Sequence, residues 1–359
     1  MGLNQGKDYN ESSSIIYGFL TRNIDDKERA ARELRIHLSN VAPEVPAEQL
    51  TRYSNDINKR IFELLRNGDA GIRLGGVLAV DELIGADTGE EAAVTRYANY
   101  LRSVVITPDL DVLRAASSAL GKLTSMSSNL AADLVDSEVK RCIEWLHSDR
   151  NEQRRQAAVL EIKSIAQHNG TLLYGYVGQI LDAIWAALRD PKVMIRNDAA
   201  DALSVCLEII YHRDVNLRQH WYSKVWAEAQ NGMRSLAVES IHGSLLVYRE
   251  LQRNAGMFMQ PFYTEACDTV LRYRDHKDAL IRRTVISILP DLAKYNPKEY
   301  TKRYLVDSMA FLIGLLKRDR EKGLVFYSIG NIAVSVRSNM AFYLEPILEN
   351  VREGLNSKG

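Results

Sequence analysis

The chain has only three cysteines in 359 residues, Cys142, Cys206 and Cys267, each inside an apolar helical stretch and none in a CxxC spacing. That placement argues against a disulfide framework or a thiolate metal knuckle and reads as small buried hydrophobes in a reducing compartment. Net charge is missing too: 46 basic residues balance 46 acidic ones. With no global field, neither nucleic acid nor an anionic membrane is an expected partner. No apolar run approaches the length of a membrane span; Leu324 to Val336 is broken by Ser328, Asn331 and Ser335. The N-terminus shows no signal peptide, since residues 2–14 are polar and 15–20 are too few for an apolar core. Gly6 stands where a myristoylation signal needs Ser or Thr.

Catalytic patterns are equally scarce. The seven histidines form no HExxH pair, and neither a GxSxG elbow nor a Cys–His signature occurs. The run Gly71-Ile72-Arg73-Leu74-Gly75-Gly76 follows no strand and lacks the Lys-Ser/Thr ending of a phosphate loop. His212-Arg213-Asp214-Val215 imitates a kinase catalytic loop, but Gln219 occupies the position that must be an Asn for magnesium. The expectation is a stretch with no catalytic residues, no metal and no cofactor.

What is present is a rhythm. An apolar helix ends in an acidic turn, and a basic residue a few positions later opens a second apolar helix. Asp69 with Arg73, Asp111 with Arg114, Asp149 with Arg154, Asp190 with Arg196 and Asp278 with Arg282 are the clearest copies. The basic residues are separated by 41, 40, 42 and 86 positions, the last being two units with His242 near its middle, and Lys322 follows Arg282 by 40. A period of about 40–47 residues built from helix pairs indicates a HEAT or armadillo α-solenoid. The predicted fold is all-α, about seven or eight repeats, and the Asp and Arg of each turn are expected to form a structural ladder. In that ladder each Asp caps its helix and accepts from a neighbouring Arg.

Residues 1–22 lack a sustained period and read as a mobile arm, with the solenoid occupying 23–359. Asp25 and Asp26 look like caps for the first helix. Leu50, Tyr53, Ile57, Ile61 and Leu64 lie on one face of the second. Most of the eight prolines fall in turns or near helix ends, and no alternating strand appears. Two segments break the rhythm: 211–229, with His212, His220, Trp221, Tyr222 and Trp226, and 255–261, around Gly256 and Met257-Phe258-Met259. Loops positioned by a rigid scaffold often carry specific contacts. Trp221, Tyr222 and Trp226 are therefore candidate partner contacts, against the plainer reading that they seal a gap between repeats. Arg272, Arg274 and Lys277, the densest basic cluster with Arg282 and Arg283, are the other candidates, against a merely solvated face. The end near Leu344, Ile347, Leu348 and Val351 is expected to expose an apolar repeat face and to self-associate.

Particular segments resemble a known family. Asp136-Ser137-Glu138-Val139-Lys140-Arg141-Cys142-Ile143-Glu144-Trp145-Leu146, followed by Arg154-Arg155-Gln156-Ala157-Ala158-Val159-Leu160, is similar to the N-terminal HEAT region of target-of-rapamycin (TOR) Ser/Thr kinases. So are Gly75-Gly76-Val77-Leu78-Ala79-Val80, Arg96-Tyr97-Ala98-Asn99-Tyr100-Leu101-Arg102, Ile241-His242-Gly243-Ser244-Leu245-Leu246 and Ala333-Val334-Ser335-Val336-Arg337-Ser338, in the family's order. The short junction near Gly256 fits fungal-type members. The resemblance implies a non-catalytic scaffold segment of a much larger kinase, cytoplasmic and, within the parent complex, peripheral at a vacuolar, lysosomal or other endomembrane surface. It implies a Raptor-type subunit and the remainder of the TOR chain as partners, with a Rheb-type GTPase in some members. The alternative left open is a free-standing HEAT adaptor of transport-receptor or phosphatase-scaffold type.

Overall fold

A computed structural model describes residues 5–41, 43, 45–84, 91–126, 130–148, 150–213, 215–317 and 321–356. Among them every regular element is helical. The chain divides into two compact units, Met1–Ala187 and Leu188–Gly359.

The first unit contains α1 (Gln5–Gly18), α2 (Ile24–Val41), α3 (Ala47–Leu65), α4 (Ala70–Ile84), α5 (Glu91–Val104), α6 (Leu110–Leu123), α7 (Ala131–Ser148) and α8 (Glu152–Leu173), with α9 (Val177–Leu188) after a short 3-10 turn. Odd and even helices pair, and the even helices stack on one another from α2 to α8. The expected stripe of α3 is in the core: Tyr53, Ile57, Ile61 and Leu64 are buried, as are Leu113, Ala116, Leu120 and Leu123 of α6. Each such Ile or Leu side chain contributes about 1.5–3 kcal/mol through removal from water. Residues 152–188 are long and apolar enough to cross a membrane by composition, yet half of that window is buried, and Asn169 (φ −141°, ψ 52°) kinks α8.

The expected mobile arm is not what the structure shows for its described part. Residues 5–18 form α1, which packs on α2. Ile15 and Phe19 lie one turn apart and are buried, and Arg60 donates to the Ser13 hydroxyl at 3.0 Å. A single turn of apolar stripe is too short to show as a period, but it suffices once a second helix covers it. Gly75 makes room for it: a Cβ there would stand 2.9 Å from the Phe19 carbonyl oxygen. Nor do Asp25 and Asp26 cap α2; the Asn23 side chain accepts the Asp25 N–H, and the two acids sit in the first turn.

The second unit opens with α10 (Val193–Arg213), followed by α11 (Arg218–Met233), α12 (Val238–Asn254), a 3-10 turn (Gly256–Met259), α13 (Tyr263–Arg272), α14 (Ala279–Tyr295), α15 (Pro297–Arg303), α16 (Leu305–Leu315), α17 (Lys322–Val336), a second 3-10 stretch (Arg337–Tyr343) and α18 (Leu344–Asn356). Here α10, α12, α14 and α17 form the stack, and α11, α13 and α15–α16 flank it. Close approach again needs a missing side chain, since a Cβ on Gly243 would fall 1.9 Å from the Leu188 carbonyl oxygen.

Candidate protein-interaction surfaces

The repeat turns come first, because they set the register of everything else. In six of them one backbone hydrogen bond marks the same helix start, from the N–H of Arg73, Leu113, Arg155, Arg196, Ile241 and Arg282 to the carbonyl four residues earlier. This frame corrects the expected ladder. Asp69 and Asp278 cap their helices by accepting the N–H groups of Ile72 and Leu280. Between α5 and α6 the cap is Asp109, bonded to the N–H of Val112, while Asp111 and Arg114 are exposed. Before α8 the cap is Asn151, and Arg155 stands in the backbone frame of Arg73; Asp149, the expected partner of Arg154, lies outside the described residues.

Three of these arginines bond carbonyls of their own turns. Arg155 donates to the carbonyl of Arg150, and Arg282 to those of His276 and Lys277. Arg196, only 2% exposed, donates to the carbonyls of Asp190 and Pro191. The guanidinium is a clamp on its own turn: its fork satisfies carbonyls that the turn leaves without helical partners. Asp190 accepts the N–H of Lys192 in the same turn. Arg196 also reaches the next repeat, where its Nε donates to Nδ1 of buried His242 at 2.9 Å. Burial and the neighbouring Arg196 and Arg249 charges hold His242 down to about 4, so it is a neutral acceptor.

A cluster in the first unit buries carboxylates instead. Glu138 and Glu161, 1% and 0% exposed, share Arg141, which lies 2.7 Å from Glu161, and Arg102 of α5 closes on Glu138. Cys142 donates to Glu161 at 3.3 Å. Burial pushes Glu161 up to about 7, opposed by Arg141 and assisted by the like charge of Glu138. The same burial and carboxylate raise the Cys142 thiol well above its ordinary range, which leaves a buried thiol unsuited to nucleophilic work. Cys206 and Cys267 are likewise buried and free. Among the described residues no group of His, Cys, Asp and Glu is arranged to hold a metal.

The candidate aromatics separate. Tyr222 and Trp226 are 1% and 3% exposed, so neither offers its ring to a partner as a surface side chain would. The Tyr222 hydroxyl donates to the carbonyl of Leu207, and Trp226 stacks on Tyr248 with centroids 4.6 Å apart. The reading of these two as gap-sealing core residues is the one the geometry follows. Trp221 is half-buried against His220 and Lys224. The basic candidates are on the surface. Arg272 and Lys277 are exposed and Arg274 half-buried, the last pairing with Asp275 at 3.4 Å. Arg272 and Arg274 line a groove of about 450 Å³ with Arg303 and Tyr304, in which Asp268, Asp275 and Asp307 offset the positive charge.

The two segments that break the rhythm come together. A groove of about 400 Å³ takes Tyr211, Arg218 and Tyr222 from one and Met257, Phe258 and Pro261 from the other. Its floor is fixed from beneath. Gly256 takes a left-handed conformation (φ +52°), and its carbonyl accepts the Tyr295 hydroxyl at 2.7 Å. Sequence reasoning singled out both segments but missed Arg218, whose guanidinium lies 5.6 Å from the centre of the Tyr211 ring. At the other end of the unit Tyr327, Val334 and Phe342 are 70%, 77% and 89% exposed, and Leu344 and Leu348 about half.

Stacked antiparallel helix pairs with arginine-clamped turns define the class: this is an α-solenoid of HEAT type. Two solved structures share the fold. Kap121p bound to Pho4p superposes with a TM-score of 0.66 at 12% identity, covering 93% of this chain and 35% of that one. Yeast importin-beta (Kap95p) does so with a TM-score of 0.65 at 11% identity, covering 95% and 43%. No protein-family model matches. The particular kinship comes from sequence. Serine/threonine-protein kinase tor1 of Schizosaccharomyces pombe is 42% identical over 330 residues, 92% of this chain and 14% of that protein. TOR2 of Saccharomyces cerevisiae is 39% identical over 364 residues, 96% of this chain and 15% of that protein. TOR of Arabidopsis thaliana is 34% identical over 332 residues. The chain is homologous to the TOR Ser/Thr kinases, as a HEAT-repeat segment spanning about one-seventh of the length of the curated relatives it matches.

Proposed function

We propose that this segment is a non-catalytic scaffold of a TOR-type kinase, presenting helix faces and junction loops to protein partners during assembly of a growth-signalling complex. The observation that carries the reading is collinear identity across nearly all of this all-helical chain to a small part of much longer Ser/Thr kinases. A Raptor-type subunit and the remainder of the kinase chain are the partners this scaffold serves, with a Rheb-type GTPase as a further one. Its setting is the cytoplasm and, within the parent complex, an endomembrane surface of vacuolar or lysosomal type. Solenoids suit such work because each repeat adds surface without rearranging the others.

The test is co-purification of the chain with an intact Raptor-type subunit, using several fragment lengths, beside an ATP-hydrolysis assay. Retention on the subunit without ATP turnover is expected. Failure to bind at every length would sink the scaffold reading, and turnover above background would sink its non-catalytic part.

A further inference from the structure

The groove between the two irregular junctions has a chemistry of its own. Phe258 and Phe262, with ring centroids 5.1 Å apart, give an aromatic floor, and the buried Tyr222 ring packs against Phe258 with centroids 5.4 Å apart. Its lip is apolar and open to water: Met257 is 75% exposed, and Tyr211 45%. Val215 and Leu217, on the chain leading into α11, are 71% and 54% exposed. Exposed apolar side chains gathered at the mouth of a groove, as Met257 and Tyr211 are, mark an interaction site more often than scattered ones.

Charge then selects among occupants. Among the described residues, Arg218 is the one charged residue lining the groove. It stacks beside Tyr211, and among the described residues no carboxylate pairs with it. By contrast Arg189 and Arg253 of the same unit bind Glu228 and Asp291. A guanidinium held beside an aromatic wall presents its remaining donors in a plane suited to a carboxylate. The site is also preformed, because Tyr295 and Leu207 fix both junctions by hydrogen bonds from below. A ligand therefore loses little free energy to ordering the protein.

We infer that this groove is a docking site for a short acidic–aromatic segment of a partner protein. An aromatic or long apolar side chain lies on the floor between Met257 and Phe262, and a neighbouring Asp or Glu meets Arg218. The inference rests on the protein-binding reading above and adds the chemistry of one partner segment.

The probe is a phage-displayed library of random dodecapeptides, selected on the purified chain. Enriched peptides are expected to place Phe, Trp, Tyr or Leu within a few residues of Asp or Glu. A synthetic representative should bind in fluorescence polarisation and weaken about tenfold or more with Arg218→Glu or Met257→Asp, a change of about 1.4 kcal/mol or more. Both positions are accessible at the surface, and unchanged thermal melting of the two variants shows that the fold is intact. Selection on Arg218→Glu should switch the enriched acids to Lys or Arg. Basic or chemically unrelated peptides, no enrichment, or binding indifferent to both variants would overturn the inference. If the chain still co-purifies with a Raptor-type subunit in that case, the scaffold reading stands and only the groove is lost.

Discussion

Two clusters of buried charge, one in each unit, are built in opposite ways. In the first, Glu138 and Glu161 lie inside the helix stack, held by Arg141 and Arg102. In the second, Arg196 lies inside the stack and is held by turn carbonyls and a neutral imidazole. A buried carboxylate needs donors, here Arg141, Arg102 and the Cys142 thiol, because backbone carbonyls only repel it. A buried guanidinium can be satisfied by acceptors that carry no net charge. The first arrangement therefore depends on a charge pair and the second on turn geometry, and the two should respond differently to mutation and to pH.

The largest break is Arg141→Met. It leaves two buried carboxylates facing each other with only Arg102 near one of them, and a loss of about 3–5 kcal/mol is expected. Urea unfolding of the first unit measures it. A loss under about 1 kcal/mol would mean that water reaches the cluster.

The pH responses sharpen the contrast. Glu161 is raised to about 7 in the folded state from an ordinary 4.5, so the folded state binds the extra proton. Its contribution to stability is therefore present below pH 4.5 and lost as pH rises toward 7. His242 is lowered to about 4 from 6.5, so the unfolded state binds the proton and stability is lost as pH falls from 6.5 toward 4. Each slope approaches about 1.4 kcal/mol per pH unit within its window. Amide exchange of α8 should accelerate with pH, after correction for intrinsic rates, and that of α12 should slow. Glu161→Gln and His242→Gln should each flatten the local trend, and trends of the same sign in both units would refute the assignment.

A smaller effect tests the junction. Gly256→Ala places a side chain at φ +52°, 3.2 Å from the Tyr211 ring, and should cost about 1–2 kcal/mol. Smallest of all, Arg272→Ala and Lys277→Ala should change stability by less than about 0.5 kcal/mol. A larger loss would show that these exposed cations hold the fold rather than face a partner.

The rhythm of the turns was legible in the sequence; its register was not. Asp111–Arg114 and Asp149–Arg154 look equivalent to Asp69–Arg73 in the sequence, yet the helix starts place Leu113 and Arg155 in the frame of Arg73. Either of two adjacent arginines satisfies a pattern, and Arg155 is the one in the frame of Arg282, donating to the turn carbonyl of Arg150. The same blindness applied to the aromatics. Trp221, Tyr222 and Trp226 are close in sequence, but α11 turns Tyr222 and Trp226, one helical turn apart, toward the core. The sequence marked both junctions as irregular, and nothing in it indicated that they share a groove or that Arg218 lies at its lip.

By itself the sequence determined that the chain is helical, that its unit is a pair of helices, and which family it is homologous to. Those properties reside in local periodicity and residue identity, and both survive without contacts. Tertiary structure decided which arginine clamps each turn, that α1 packs rather than floats, which carboxylate carries a raised pKa, and which aromatics line a groove. Each of these depends on what lies across a helix interface from residues tens of positions away, where burial and distance fix the energy of a side chain that its neighbours in sequence leave open.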